Sequence, residues 1–254
     1  MVSKTYALSS LKKYKYVVIL SEYNGKLLLS RHKKRTTWET QGGHIEIGET
    51  PLEAAKRELY EESGATDFDI VPLCDYRAWD ENTGDGANGV VFRAVITELG
   101  EIPESEMAEV QTFETLPKEL TYPEIIHTLF DYISEQSRCP NLHKMRLKAE
   151  PFEKIKSGSK TIELRLNDEK RQSVKVGDYI EFSMTGNASQ KILTLVTALH
   201  RFSTFQELYA ELPKEKLGYS ANELPDQNHM DAFYSKDEQE KYGALGIELR
   251  RYCT

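Results

Sequence analysis

The chain has 254 residues, 39% of them hydrophobic and 29% charged, the balance of a globular protein long enough for two ordinary domains. No apolar run approaches the ~18 residues that a membrane helix needs, and the first residues lack the apolar stretch and cleavage site of a signal peptide, so a cytoplasmic protein with no membrane partner is expected. The net charge of −8 sits in residues 1–142, with 15 Lys and Arg against 24 Asp and Glu; the rest carries 18 against 17, without the basic excess typical of a nucleic-acid-binding domain.

In chain order, Tyr14–Leu20 is apolar and β-branched, Asn24-Gly25 is a turn signal and Lys26–Ser30 resumes the apolar run, which predicts a hairpin. A basic loop (31–35) and Trp38-Glu39-Thr40 lead to a glycine pair and a helical pattern over Pro51–Ser63. Strands are predicted over Phe68–Tyr76, Val90–Thr97 and Val110–Phe113, and a helix from Tyr122-Pro123 to about Gln136. Residues 138–144, proline-containing and polar, read as a linker between a first domain (1–137) and a second (145–254). The second half predicts a helix to about Lys156, strands at Thr161–Leu166, Tyr179–Met184, Ile192–Leu199 and Ala244–Leu249, and a helix at Phe205–Leu212. Cys74, Cys139 and Cys253 form no CxxC pair and read as free thiols, which excludes a disulfide framework or a zinc site.

The helix at 51–63 is marked locally. Thr50 suits the N-cap, Pro51 the first helical position, Glu53 completes a capping box, and Gly64 can take the left-handed conformation that ends a helix. At about 100° per residue, Leu52, Ala55, Leu59 and Ser63 share one arc while Glu58, Glu61 and Glu62 share another. Glutamates three and four apart repel on a bare helix by a few tenths of a kcal/mol per pair. A divalent cation among them would reverse that, and Mg²⁺, which takes oxygen ligands and bridges to phosphates, is the natural guest.

From Gly43 to Ala65 the chain resembles the Nudix box, with Gly43, Glu49, Arg57, Glu58, Leu59, Glu61, Glu62, Gly64 and Ala65 all at the expected spacing. The resemblance implies an α/β/α sandwich with a mixed sheet and a Mg²⁺-dependent hydrolase, Mn²⁺ being the alternative ion. It further implies that Glu58, Glu61, Glu62 and the Gly42 carbonyl ligate metal, that Arg57 orients the glutamates, and that Glu49 pairs with Arg57 or supports a metal-bound water. The implied reaction is attack of water on phosphorus. In some relatives the general base is a loop glutamate; among Glu98, Glu101, Glu104, Glu106 and Glu109, spacing to the following strand favours Glu104. Gln41 stands where many nucleotide-specific relatives have proline, so the loop or pocket is expected to differ. Arg31, Trp38 and Tyr76 are the substrate-binding candidates, followed by Tyr23, His32 and Trp79. The substrate class is a nucleoside triphosphate, an oxidised one included, or another nucleoside diphosphate derivative.

From Met145 onward the chain resembles an ASCH domain, a PUA-like β-barrel associated with RNA, so the whole reads as α+β. Gly158, Lys160, Glu163 and Arg165 fit G-x-K-x-x-E-x-R, and Lys160, Glu163 and Arg165 are expected to line a polar cleft suited to a base edge and a phosphate, with RNA or a nucleotide as partner. Small relatives that deacylate modified cytidine carry a threonine three positions after the lysine; Glu163 stands there, which argues against that activity. RNA 5′-end processing is the neighbouring alternative. A nucleotide sensor without catalysis is the rival of a different class, but such sensors tend to lose box carboxylates and none is lost here.

Overall fold

In the computed structural model, which describes residues 1–252 except Ser137, Ala221 and Gln227, the chain divides into two units between Cys139 and Pro140. Cys74 is a buried free thiol and Cys139 a half-buried one, whereas Cys253 and the first domain's expected last residue, Ser137, lie outside the described residues.

The first unit begins with a strand that sequence patterning does not announce. β1 (Val2–Tyr6) forms by pairing antiparallel with β5 (Ala65–Trp79). The expected hairpin follows: β2 (Tyr14–Tyr23) and β3 (Lys26–His32) turn at Asn24 and Gly25, whose φ values of 52° and 75° suit the asparagine-glycine pair. β4 (Gln41–His44) carries the glycine pair and runs beside β2, and α1 (Pro51–Ser63) has the expected bounds. β5 and β6 (Gly86–Leu99) outrun their apolar stretches because backbone pairing continues past them, from Ala65 with Leu99 to Trp79 with Gly86. β7 (Met107–Phe113) and α2 (Pro123–Glu135) complete the unit.

The sheet runs β1-β5-β6-β2-β3-β7, with β4 attached to β2 and β2 parallel to β6, so it is mixed. Successive strand residues face opposite sides. Leu20, Cys74, Tyr76 and Val91 pack with Leu129 of α2, while their neighbours Ile19, Val90 and Phe92 are fully buried on the other face, where α1 lies over β2 and β4. Helix, sheet and helix are thus stacked in three layers.

Asp75, fully buried on β5, holds the segment before β2. It accepts from the Ser9 N–H at 3.2 Å, the Leu11 N–H at 2.7 Å and the Tyr14 hydroxyl at 2.9 Å. Burial, then Asp75 itself, pushes the Tyr14 phenol above its usual range. Removing the acceptor leaves the buried end of these part-buried hydrogen bonds unmade, at about 1 kcal/mol for each bond. Asp75→Ala is expected to destabilise the first unit by about 3 kcal/mol, read as a fall in the urea midpoint, with Asp75→Asn recovering part of the loss.

The second unit holds β8 (Leu142–Leu147), α3 (Ala149–Ser157), β9 (Ile162–Leu166), α4 (Glu169–Gln172), β10 (Tyr179–Met184), β11 (Asn187–Phe202), α5 (Phe205–Glu211), α6 (Lys236–Tyr242) and β12 (Ala244–Arg251). β8 starts at Leu142, so the segment read as linker ends inside a strand that pairs parallel with β10. The sheet order is β8-β10-β11-β12-β9. The long β11 pairs β10 along its first half and β12 along its second, with a register shift between Val196 and Ala198. Such an irregularity bends a strand, and the five strands curl into a half-barrel around Phe152, Ile180, Phe182, Leu245 and Ile247.

Candidate active site

α1 starts where its cap requires. Thr50 Oγ1 accepts from the Glu53 N–H, Glu53 returns a bond to the Thr50 N–H at 2.8 Å, and Gly64, at φ 73°, closes the helix. The start and end fix which side chains rise toward β4.

Arg57 is the hub. Its Nε and Nη2 donate to Glu49 at 2.7 and 2.9 Å, its Nη1 to Glu58 at 2.9 Å and Glu61 at 3.2 Å, and Nη2 also to the His44 carbonyl at 3.0 Å. A guanidinium has five N–H groups in a rigid fork, and all three nitrogens are engaged. Arg57 holds the Glu49 carboxyl far below the usual range, at about 2. Glu58 shifts the other way, because burial outweighs Arg57's attraction. Glu62 is pushed up to about 8 by burial, then by repulsion from Glu58, Glu39 and Glu61, against a 2.8 Å bond from the Gly42 N–H.

Two glycines make this possible. A Cβ on Gly43 would stand 2.2 Å from the Glu58 carboxylate, and one on Gly42, at φ 152°, would stand 2.3 Å from the Val17 carbonyl oxygen. Behind them Gln41 is fully buried and donates to Ser30 Oγ at 2.7 Å, while Ser30 donates to the Glu62 carbonyl at 2.8 Å. The residue in the expected proline position thus ties β4 to β3 and α1.

The three box glutamates do not converge as a ready-made cage: among the described residues no three His, Cys, Asp or Glu side chains gather round one point. Arg57 draws Glu58 and Glu61 to itself, and the Gly42 N–H draws Glu62. Magnesium keeps several waters and needs only one or two carboxylates. A half-buried, charge-crowded Glu62 beside Glu58, which presses against the bare Cα of Gly43, is a hard-oxygen donor set that fits such an ion.

Glu62 and the two glycines line a cleft of about 690 Å³ whose other walls include Tyr16, Tyr76, Trp79 and Tyr122. Tyr16 lies 4.4 Å from the His44 ring, centroid to centroid. Of the substrate candidates, Tyr76, Trp79 and His32 line the cleft, whereas Arg31, Trp38 and Tyr23 do not. Arg31 is paired with Glu109 across β3 and β7 at 2.8 Å, and Trp38 packs with Leu29, Phe113, Leu120 and Ile126. Arg35, Glu39 and Tyr122 occupy the wall instead: Arg35 Nη1 donates to Glu39 at 2.6 Å and lies over the Tyr122 ring. Glu39 is buried, and its second oxygen has no hydrogen-bond partner. The close spacing of Arg35 and Glu39 was the one sequence signal that could have marked this pair.

Glu104 is exposed and does not line the cleft, whereas Glu106 does. Glu106 is held there by His32 and by the Lys33 N–H, which donates to its carbonyl at 2.9 Å, contacts between distant segments that spacing alone cannot reveal. The Lys34 N–H donates to His32 Nδ1, leaving His32 Nε2 to donate to Glu106 at 3.0 Å, and His32 holds the Glu106 carboxyl below its usual range.

In the second unit, Glu163 is buried between Lys160 and Arg165, each 2.9 Å away. Burial pushes its carboxyl up, but the two cations outweigh it and hold it below the usual range. Lys160 and Glu163 therefore form an internal ion pair, while Arg165 lines a cleft together with residues of β8, α4 and β11.

Residues 12–129 match the NUDIX domain family and residues 145–251 the ASCH domain family. The chain joins a NUDIX domain to an ASCH domain. The chain is similar to the RNA pyrophosphohydrolase of Francisella philomiragia subsp. philomiragia, 36% identical over 62 residues, 24% of this chain and 40% of the relative. It is similar to that of Tolumonas auensis at 36% over 62 residues, 24% of this chain and 36% of the relative. The chain thus spans about two fifths of the length of these relatives. Among solved structures, the pyrophosphohydrolase BsRppH of Bacillus subtilis aligns over 51% of this chain and 90% of its own, with 22% identity and a TM-score of 0.43. No helix among the described residues is long and apolar enough to cross a membrane.

Proposed function

We propose that the NUDIX domain is a Mg²⁺-dependent pyrophosphohydrolase that cleaves a diphosphate linkage in the phosphate chain of a nucleotide. The observation that carries this reading is one cleft in which Glu62, crowded by Glu58 and Glu61, opens toward aromatic walls made by Tyr16, Tyr76, Trp79 and Tyr122. Carboxylates at one end suit a cation bridging phosphates, and rings at the other suit a base. Magnesium bound at these oxygens would polarise the attacked phosphoryl group and lower the pKa of a bound water.

The chain's own residues do the rest. Arg57 fixes Glu58 and Glu61 in position and is itself fixed by Glu49. Glu106, oriented by His32, accepts a proton from the attacking water at the cleft rim. Arg35 places positive charge beside the phosphates, and the rings exclude water from the base. The relatives named RNA pyrophosphohydrolase favour a substrate with a 5′-triphosphate, either a free nucleoside triphosphate or an RNA end.

A panel of nucleoside triphosphates, ADP-ribose and 5′-triphosphorylated RNA, assayed with Mg²⁺ for the monophosphorylated product, with pyrophosphate from the triphosphates and ribose 5-phosphate from ADP-ribose, tests the reading. No turnover of any member refutes it. Glu106→Gln is expected to lower kcat by about 10²-fold with little change in KM, and Glu104→Gln to leave both near wild type.

A further inference from the structure

The ASCH domain holds a second cleft, of about 650 Å³, into which six cations project: Lys144, Arg146, Arg165, Lys170, Arg171 and Lys191. They come from four elements, β8, β9, α4 and β11, so no single strand or helix pattern explains the gathering. On the outer face of the half-barrel Arg146, Ser183 and Lys191 form one cross-strand rung. Three carboxylates offset the cations: Glu163 pairs with Arg165 at 2.9 Å, Asp168 with Arg171 at 2.6 Å and Glu181 with Lys191 at 2.9 Å. A positive excess remains, concentrated in a domain that is otherwise close to neutral.

Two of the guanidinium groups are held as if for a ligand. Arg165 is anchored by Glu163 and by a 2.9 Å bond from its Nη2 to the Arg146 carbonyl, and Arg171 by Asp168. Both have a buried Nε with no hydrogen-bond partner. Fixed, charged donors of this kind suit phosphate oxygens, and like charges on adjacent strands cost stability unless an anion lies among them.

The lining also says what the ligand lacks. None of the cleft's ten lining residues is aromatic. Recognition of unpaired bases relies on stacking against rings, worth about 1–3 kcal/mol per base. We propose that this cleft binds a compact chain of condensed phosphates, such as inorganic tripolyphosphate or the triphosphate tail of a nucleotide, and not the bases of an RNA. The site lies wholly within the ASCH domain and does not depend on the hydrolase reading of the NUDIX domain.

The test is calorimetric titration of the full chain with tripolyphosphate in EDTA, at two ionic strengths. Binding is expected to weaken as salt rises and to weaken at least tenfold in an Arg146→Gln, Lys170→Gln double variant. Both side chains are exposed, so the variant should keep the wild-type circular dichroism and melting temperature; Lys236→Gln, an exposed lysine on α6, should bind as wild type. ATP serves to separate the sources: affinity equal to tripolyphosphate assigns the cleft to a free oligophosphate, and tenfold tighter binding that the double variant loses assigns it to a nucleotide's tail. Absence of binding at low salt overturns the proposal, as does binding that the double variant leaves intact. A 5′-hydroxyl RNA dodecamer that binds more tightly than tripolyphosphate, and loses that affinity in the double variant, overturns it in favour of a nucleic-acid groove.

Discussion

Glu62→Gln is expected to lower kcat for the Mg²⁺-dependent reaction by about 10²–10³-fold, in the range of other single losses of transition-state charge stabilisation, while leaving the NUDIX domain at least as stable as before. The two effects have one cause. The Glu62 carboxyl is pushed up to about 8 because its charge is buried among Glu58, Glu39 and Glu61 with only the Gly42 N–H in compensation. Glutamine keeps an oxygen for that N–H and removes the charge. In magnesium-free buffer above pH 8, where the carboxyl is ionised, the variant's melting temperature should match the wild type or exceed it by about 2–4 °C, roughly 1 kcal/mol in a domain of this size. Adding millimolar Mg²⁺ should then raise the melting temperature of the wild type and not of the variant, because an ion that binds only the folded state stabilises by mass action. A variant that melts well below wild type, losing activity only in proportion to its unfolded fraction, would mean that Glu62 is a structural residue.

How far this site could be read without coordinates depends on the range of the interactions that build it. α1 runs over the predicted residues because its signals are local: Thr50 caps, Glu53 returns the bond and Gly64 ends the helix, all within one or two turns. The role of Arg57 is implied by the resemblance to the Nudix box, whose residues lie on that helix and in the loop before it. The opposite wall of the cleft is built by strand pairing over long sequence separations. Trp38 is aromatic and near the glycine pair, yet it serves the core beside Phe113 and Leu120. Arg31 is cancelled by Glu109, and Arg35, four residues on, reaches the cleft. Glu106 lines the rim and Glu104 does not, because Glu106 is tied to His32 and to the Lys33 N–H. In the ASCH domain the alternation of β9 separates Glu163 and Arg165 from Ile162 and Leu164, but only the burial of Glu163 tells an internal ion pair from an open polar cleft.

The adjacent glycines should separate folding from catalysis, since each excludes a side chain for a different reason. Gly42→Ala places a methyl 2.3 Å from the Val17 carbonyl oxygen, at a φ of 152° that L-residues rarely adopt. Neither neighbour can yield, because Val18 and Gly42 are paired strand residues, so a loss of about 3 kcal/mol or more is expected, visible as a large fall in the urea midpoint. Gly43→Ala meets the end of the Glu58 side chain at 2.2 Å, and a carboxylate can swing away. Stability should change by less than about 1 kcal/mol. Catalysis should not survive, because Glu58 leaves its 2.9 Å bond to Arg57, and Arg57 in turn positions Glu61. A displacement of about 1 Å at a reacting centre costs roughly 10²-fold, so kcat for Gly43→Ala is expected to fall at least that far in a protein that melts like the wild type. The reverse pattern, with Gly43→Ala unstable and Gly42→Ala merely slow, would place the rigid contact at Gly43 and deny Glu58 its part in the site.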